Sequence, residues 1–418
     1  MMVRDEEELL APALESAGLA CDELIVVDTG SKDRTIEIAR AHGAKVFEFQ
    51  WCDDFSAARN ETLRHAIGDW ILILDADERL RGPNAARLRA SLPAPTGHPF
   101  QVFMLDVINV RADGGVISSA YGVRIVPNDR RLGYRGRVHN NFCALDPAFP
   151  EIRASHLEGV EILHLGYDPE LYARRRKAER SLPLLEATVR DEPDNLAQRY
   201  YLGREYLRLA RLEEAIGALE HVVANLGRAT RGERDAVEQA AWRDLVEAKR
   251  AAGRPLPEVL STAIAALGQH PHNPDLWFGT ARALAHHGAH DKSIEYYLRA
   301  LKCVEHGQAQ QWMGIAHRPW EIVERLAEAH GASGRLEDAY RAYREAMSIR
   351  PIDAPGWTAL LHSLVGLAVD LDDRAALPAL LERLLGYPDA AMELVELAQR
   401  KLDPAELAAL KAKHPRAS

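Results

Sequence analysis

Two carboxylates, Asp75 and Asp77, follow an apolar run in Ile71-Leu72-Ile73-Leu74-Asp75-Ala76-Asp77-Glu78. A strand that delivers acidic groups at its carboxyl end offers hard oxygen ligands, which divalent cations prefer. A cation held there can neutralise the charge that develops on a departing diphosphate. Carboxylates also end strands simply to stay in water, so the motif needs its context. A second group is Val26-Val27-Asp28-Thr29-Gly30-Ser31-Lys32-Asp33-Arg34-Thr35. Ser31 and Asp33 are suited to cap the helix that follows. Asp28 is placed to accept a hydrogen bond from a nucleoside hydroxyl or base. A third is Phe55-Ser56-Ala57-Ala58-Arg59-Asn60, where Arg59, near a helix start, either contacts a nucleotide or holds a loop carboxylate.

Elements must bring these groups together. Leu24 to Val27, Lys45 to Phe49 and Trp70 to Leu74 read as buried strands. Between them Glu8 to Gly18, Lys32 to His42 and Phe55 to Ile67 read as amphipathic helices. This alternation predicts a parallel sheet covered by helices, with the strands' carboxyl ends along one edge, where ligands bind. Further β-like runs span Gln101 to Asn109, Gly122 to Pro127 and Val160 to Leu165. From Pro169 the β signal stops, and Tyr172 to Val189 reads as a helix carrying the basic run Arg174 to Lys177, a solvated face or an acceptor contact.

After Pro193 a repeat emerges. Leu202, Gly203, Tyr206, Ala215 and Leu219 fit the tetratricopeptide pattern of large and small residues on two antiparallel helices. Leu326, Ala327, Ala339, Tyr343, Ala346 and Pro351 repeat it, and Trp277, Ala281, Ser293, Tyr297 and Ala300 fit it as well. Units are expected to begin near 196, 240, 274, 320 and 354. The division is therefore 1–168, an α/β nucleotide-binding domain; 169–194, a linking helix; and 195–418, all-α tetratricopeptide-like repeats.

The net charge of −10 disfavours a general nucleic-acid binder. Cys21, Cys52, Cys143 and Cys303 lie far apart with no CxxC pair, which argues against a zinc cluster or a disulfide framework and fits a reducing compartment. No run reaches the length of a membrane span, and the acidic start is unlike a signal peptide, so a cytoplasmic protein is expected.

Together the motifs resemble family 2 glycosyltransferases of the GT-A, Rossmann-like fold, in the subgroup with tetratricopeptide repeats that includes sublancin-type peptide S-glycosyltransferases. The resemblance runs through Val3-Arg4-Asp5-Glu6-Glu7, Ile25 to Thr35, Trp51 to Asn60, Gly68 to Glu78, Arg137-Val138-His139 and His164-Leu165-Gly166-Tyr167. It implies an inverting hexosyl transfer from a nucleoside diphosphate sugar, with UDP as the expected carrier, to a peptide or protein acceptor. It implies that Val3, Asp5, Asp28, Arg59, Asp75, Ala76 and Asp77 bind the nucleotide sugar, and that Asp77 and His164 hold Mn²⁺ or Mg²⁺. The repeats would dock the acceptor; a homodimer is the other partner considered. A glycan or lipid-linked glycan acceptor, or a catalytically degenerate adaptor, are the alternatives.

Three departures from the family pattern bear on this. Asp5 stands where Asn is usual. The first strand is only Met1-Met2-Val3, which leaves open whether the chain starts earlier. Asn140 stands where many relatives have Glu. An amide has no useful basicity, so the base must lie elsewhere. His139 is the first candidate, with an ordinary pKa of about 6.5. Asp106 and Asp113 are the carboxylate alternatives, and a thiol acceptor, already partly ionised, would relax the demand.

Overall fold

A computed structural model of the chain describes residues 1–81, 84–93, 100–111, 116–146, 152–166, 177–228, 231–306, 314–351, 354, 356–387 and 389–414. It forms two compact units, Met1–Ala236 and Val237–Ser418.

In the first unit the apolar runs become strands as their β-branched residues require, and the amphipathic stretches become helices. The order is β1 (Met2–Val3), α1 (Leu10–Gly18), β2 (Ile25–Asp28), α2 (Thr35–Ala41), β3 (Lys45–Glu48), α3 (Phe55–Arg64) and β4 (Trp70–Leu72). Then come β5 (Glu78–Leu80), α4 (Asn84–Ser91), β6 (Gln101–Val110), β7 (Val116–Pro127), β8 (Leu132–Arg135), β9 (Asn141–Ala144) and β10 (Arg153–His164). Strands β1, β2 and β3 make a parallel sheet, in register Val3↔Asp28 and Asp28↔Glu48. The expected single parallel sheet stops there. Strand β4 pairs antiparallel with β7, and the order β4-β7-β6-β10-β5 makes a second, mixed sheet. Long strands β6, β7 and β10 were only partly legible, because β10 begins on the exposed stretch Arg153 to His156, where no apolar alternation marks it.

Two apolar clusters hold the strand ends in place. Val3, Leu10, Leu14, Val26, Ala39 and Ala76 form one, and Leu74, Leu80, Phe103, Leu105, Ile125 and Ile162 the other. Leu74 and Ala76 thus anchor the Asp75–Asp77 turn in two separate cores.

The unit continues with α5 (Lys177–Asp191), α6 (Leu196–Arg208) and α7 (Leu212–Asn225). Leu184, Leu185, Val189 and Leu202 of this helical part pack with Val138, Trp51 and Phe55. Three residues of the expected basic run, 174–176, lie outside the described residues.

In the second unit the antiparallel helix pairs expected from the repeat pattern are present: Leu256–Gln269 following Arg231–Ala251, then Pro274–His286 with His290–Glu305, Pro319–Ala332 with Leu336–Ile349, and Trp357–Asp370 with Leu377–Leu385. The small residues Ala281, Ala300, Ala327, Ala339 and Ala346 are wholly buried, as close helix approach demands. No helix among the described residues is long and apolar enough to cross a membrane.

Candidate active site

The turn from Asp75 to Glu78 leaves β4 and enters β5. Leu74 and Ala76 are buried along it, Asp75 is left partly exposed, and Asp77 is buried with them. Both oxygens of Asp75 accept from Nη2 of Arg59, at 2.9 Å each. Arg59 projects from α3, and its guanidinium lies 5.4 Å from the Tyr134 ring. Burial alone would raise the Asp75 pKa; the Arg59 charge overrides it and holds the carboxyl below its ordinary value. Of the two roles open to Arg59, the structure displays the contact to the loop carboxylate.

Asp77 is buried, and its carbonyl accepts from the Leu165 amide at 2.9 Å. Its Oδ1 lies 3.7 Å from Nε2 of His164, the last residue of β10. Nδ1 of that ring is 2.7 Å from Oδ1 of Asn109, its cross-strand partner on β6. An amide oxygen can only accept, so Nδ1 donates to it, and this bond turns Nε2 toward the Asp77 carboxylate. With Nε2 unprotonated, the ring and the carboxylate at this spacing would suit one cation held by both, each ligand about 2.1 Å from it. Among the described residues no group of three or more His, Cys, Asp or Glu side chains could hold a metal. Two protein ligands are therefore what this turn supplies, and diphosphate oxygens would supply others.

Asp28 has both a local task and a vacancy. Its Oδ2 accepts from the amides of Gly30 and Ser31, at 2.9 and 3.0 Å, and sets the turn after β2. That local role was missing from the sequence reading. Its Oδ1 is buried and has no hydrogen-bond partner. An orphaned buried carboxylate oxygen costs free energy until a donor reaches it. Asp5, in left-handed backbone with φ 53°, accepts from the Lys32 amide at 2.7 Å, while its own amide donates to Ser31. Asp33 accepts from the amides of Thr35 and Glu7. The expected capping by Ser31 is not seen; its hydroxyl ties the Asp5 loop to the Asp28 loop instead. Val3, paired with Asp28, and Ala76 sit in the same apolar cluster, so β1, β2 and the Asp75–Asp77 turn end at one edge.

The nominated bases are placed otherwise. His139 has a φ of 49°, uncommon for a residue with a Cβ. Its ring stacks on Tyr201 of α6 at 4.0 Å. Burial first, then the charges of Arg204 and Arg208, hold its pKa down at about 3. The preceding residues are stapled down: the carbonyls of Gly136, Arg137 and Val138 accept from Ser56 Oγ, the Phe55 amide and Gln198 Nε2. Such a ring is a poor proton acceptor near neutral pH. Asp106 pairs with His156 at 3.1 Å. It lies three residues before Asn109 on β6, hence on the opposite face of the sheet from the Asn109–His164–Asp77 chain, and the structure does not bring it to the turn. Asp113 lies outside the described residues.

Sequence reading missed Asn109, Tyr134 and Arg124. Arg124 had a visible signal, a lone cation inside the apolar strand Gly122-Val123-Arg124-Ile125-Val126.

Comparison with known proteins agrees with this geometry. The profile of glycosyl transferase family 2 matches residues 1–88, and a tetratricopeptide repeat profile matches residues 244–307. A TPR repeat-containing protein of Synechococcus elongatus is 39% identical over 196 residues, covering 47% of this chain and 48% of that one. The SPbeta prophage-derived glycosyltransferase SunS of Bacillus subtilis is 25% identical over 229 residues, covering 54% of this chain and 52% of that one. The chain thus spans about half the length of these relatives. A crystal structure of a thermophilic TPR protein of Thermus thermophilus aligns with 48% of this chain and 94% of its own, at 24% identity and a TM-score of 0.34. With strand-end carboxylates in the first unit and paired helices in the second, the chain carries a family 2 glycosyltransferase domain at its N-terminus and tetratricopeptide repeats C-terminal to it, and is homologous to SunS.

Proposed function

We propose that the protein transfers a hexose from a UDP-sugar to a peptide or protein, with inversion and with a divalent cation, Mn²⁺ or Mg²⁺, bound at Asp77 and His164. The observation that carries this reading is Nε2 of His164 facing Oδ1 of Asp77 at 3.7 Å, with the ring oriented by Asn109. The cation would stabilise the departing diphosphate. Asp75, clamped by Arg59, keeps its charge at the edge of the same turn and would accept from the ribose. Asp28 would accept a base or ribose donor at its orphaned Oδ1. In this reading residues 1–168 bind the donor, 169–194 link, and 195–418 present the acceptor, since helical repeats offer extended binding surfaces. SunS, by name a glycosyltransferase, supports the activity.

The state of the nominated bases favours a thiol over a hydroxyl acceptor. His139 stays neutral and half-buried, Asp106 faces away, and Asn140 cannot take a proton. A cysteine thiol, with an ordinary pKa of about 8.5, needs least help. Thermal shift against UDP-, GDP- and dTDP-sugars, with Mn²⁺ or with EDTA, tests the donor half. A UDP-sugar at a hundred times its Kd should add about 2.7 kcal/mol of stability, lost in EDTA. Equal shifts with and without metal would refute the cation's role. Mass spectrometry of Cys- and Ser-containing peptides offered with the bound donor tests the acceptor half.

A further inference from the structure

A buried ion pair supports the Asp75–Asp77 turn from below. Glu78 is almost wholly buried, and each of its oxygens has one partner. Oε2 accepts from the Asp75 amide at 3.0 Å, and Oε1 from Nη2 of Arg124 at 2.7 Å. Arg124 is itself fixed to the turn's approach, because its carbonyl accepts from the Ile73 amide at 2.7 Å. The turn is closed on its other side by the β5–β10 ladder, where Glu78 faces His164. Pulling on Arg124 therefore pulls on the main chain just before Asp75 and just after Asp77.

A buried ion pair of this kind adds little net stability compared with apolar residues of the same shape. What it does supply here is a fixed direction for the Asp75 amide. Gly122 makes the arrangement possible. Its backbone is ordinary strand, yet a Cβ at this position would stand 2.9 Å from Nη1 and 3.3 Å from Cζ of Arg124. A guanidinium at the tip of a free side chain could step aside, but this one is held by Glu78. Any side chain at 122 must therefore push Arg124 off the carboxylate or be refused.

We propose that Arg124 is a positioning residue for the donor site, acting through Glu78 on the Asp75–Asp77 turn, and that Gly122 is the residue that leaves room for it. The inference rests on the reading of this turn as the donor site, and its test separates the two.

Three variants are compared with the wild type: Gly122→Ala, Arg124→Met, and both together. Amide exchange of a peptide covering 73–79 is measured in EDTA, and UDP affinity is measured with saturating Mn²⁺. Gly122→Ala and Arg124→Met should each raise exchange in that peptide about tenfold and weaken UDP binding about tenfold. The combined variant should show no further change, because both act through one guanidinium. Exchange elsewhere in the first unit, for instance over α1, should stay within twofold. Unchanged exchange at 73–79, effects that multiply in the combined variant, or a uniform rise across the unit would each overturn the proposal; the last would mean bulk stability alone. A wild type that binds no nucleotide with Mn²⁺ would refute the donor reading, while the exchange result still decides the positioning role.

Discussion

Removing Arg59 should convert Asp75 from a charge held in place into a charge held against its will. Burial of this carboxylate opposes ionisation, and the Arg59 charge is the largest influence that reverses this. Breaking a buried pair from one side costs about 3–5 kcal/mol, and an exposed pair under about 1 kcal/mol. Arg59 and Asp75 are 21% and 34% exposed, so Arg59→Gln should cost about 2 kcal/mol at pH 7. The cost should depend on pH in a set direction. In the wild type the folded pKa of Asp75 lies below its ordinary 3.8, so the pair's stabilisation is full above that value and fades as pH falls through the folded pKa. In the variant only the Arg124 charge still opposes burial and the Asp77 charge, so the folded pKa rises above 3.8 and protonation relieves the strain on the way down from neutral pH. The gap between the two proteins should therefore narrow as pH falls through the variant's raised pKa toward the wild type's lowered one. Urea unfolding of both at pH 7, 6, 5 and 4, in EDTA, measures it. A gap that stays constant with pH, or a variant as stable as the wild type at pH 7, would refute the account of Asp75 as a carboxylate kept ionised by Arg59.

Other outcomes follow from the same geometry. Asp77→Ala should abolish the Mn²⁺-dependent thermal shift with UDP while leaving the metal-free unfolding temperature within about 2 °C, since the residue lies in the turn between β4 and β5 and belongs to neither apolar cluster; a full metal-dependent shift would exclude Asp77 as a ligand. His139→Gln should flatten acid destabilisation: the folded ring stays neutral to about pH 3 while the unfolded ring takes a proton near 6.5, so the wild type loses stability as pH falls between those values, at most about 1.4 kcal/mol per pH unit. In the pH–rate profile of kcat/KM the same variant should keep the wild-type acidic limb, and a limb that disappears would return His139 to the mechanism. A fragment ending at Ala236 should fold and bind UDP, whereas one ending at 168 loses Leu184, Leu185, Val189 and Leu202 and exposes the apolar side of Val138, Trp51 and Phe55; a monomeric, UDP-binding 1–168 fragment in size-exclusion chromatography would show that this cluster is dispensable.

The legible parts of the sequence were those in which one local pattern has one outcome. Ile71 to Asp77 reads as an apolar strand that ends in carboxylates, and the Ala/Tyr register of the repeats serves close helix pairs. Strand partners were not legible. Nothing in Trp70 to Leu72 says that its neighbour is Ile125 to Pro127, running antiparallel and about 55 residues later, so the second sheet was read as a continuation of the first. Charges that act through others were hidden in the same way. The Arg124–Glu78 pair spans 46 positions and two strands, and only a cation stranded in an apolar run hints at it. His139 shows the converse hazard. A histidine after Arg137-Val138 looks like a base because its ordinary pKa suits proton transfer, but the pKa belongs to the packing. Tyr201, Arg204 and Arg208, more than sixty residues away in sequence, decide it. A residue type nominates a chemistry; the electrostatics of whatever folds against it determines whether the nomination stands. On that criterion Asp77 and His164 gain from their surroundings, because Asn109 fixes the ring that faces the carboxylate, and His139 loses.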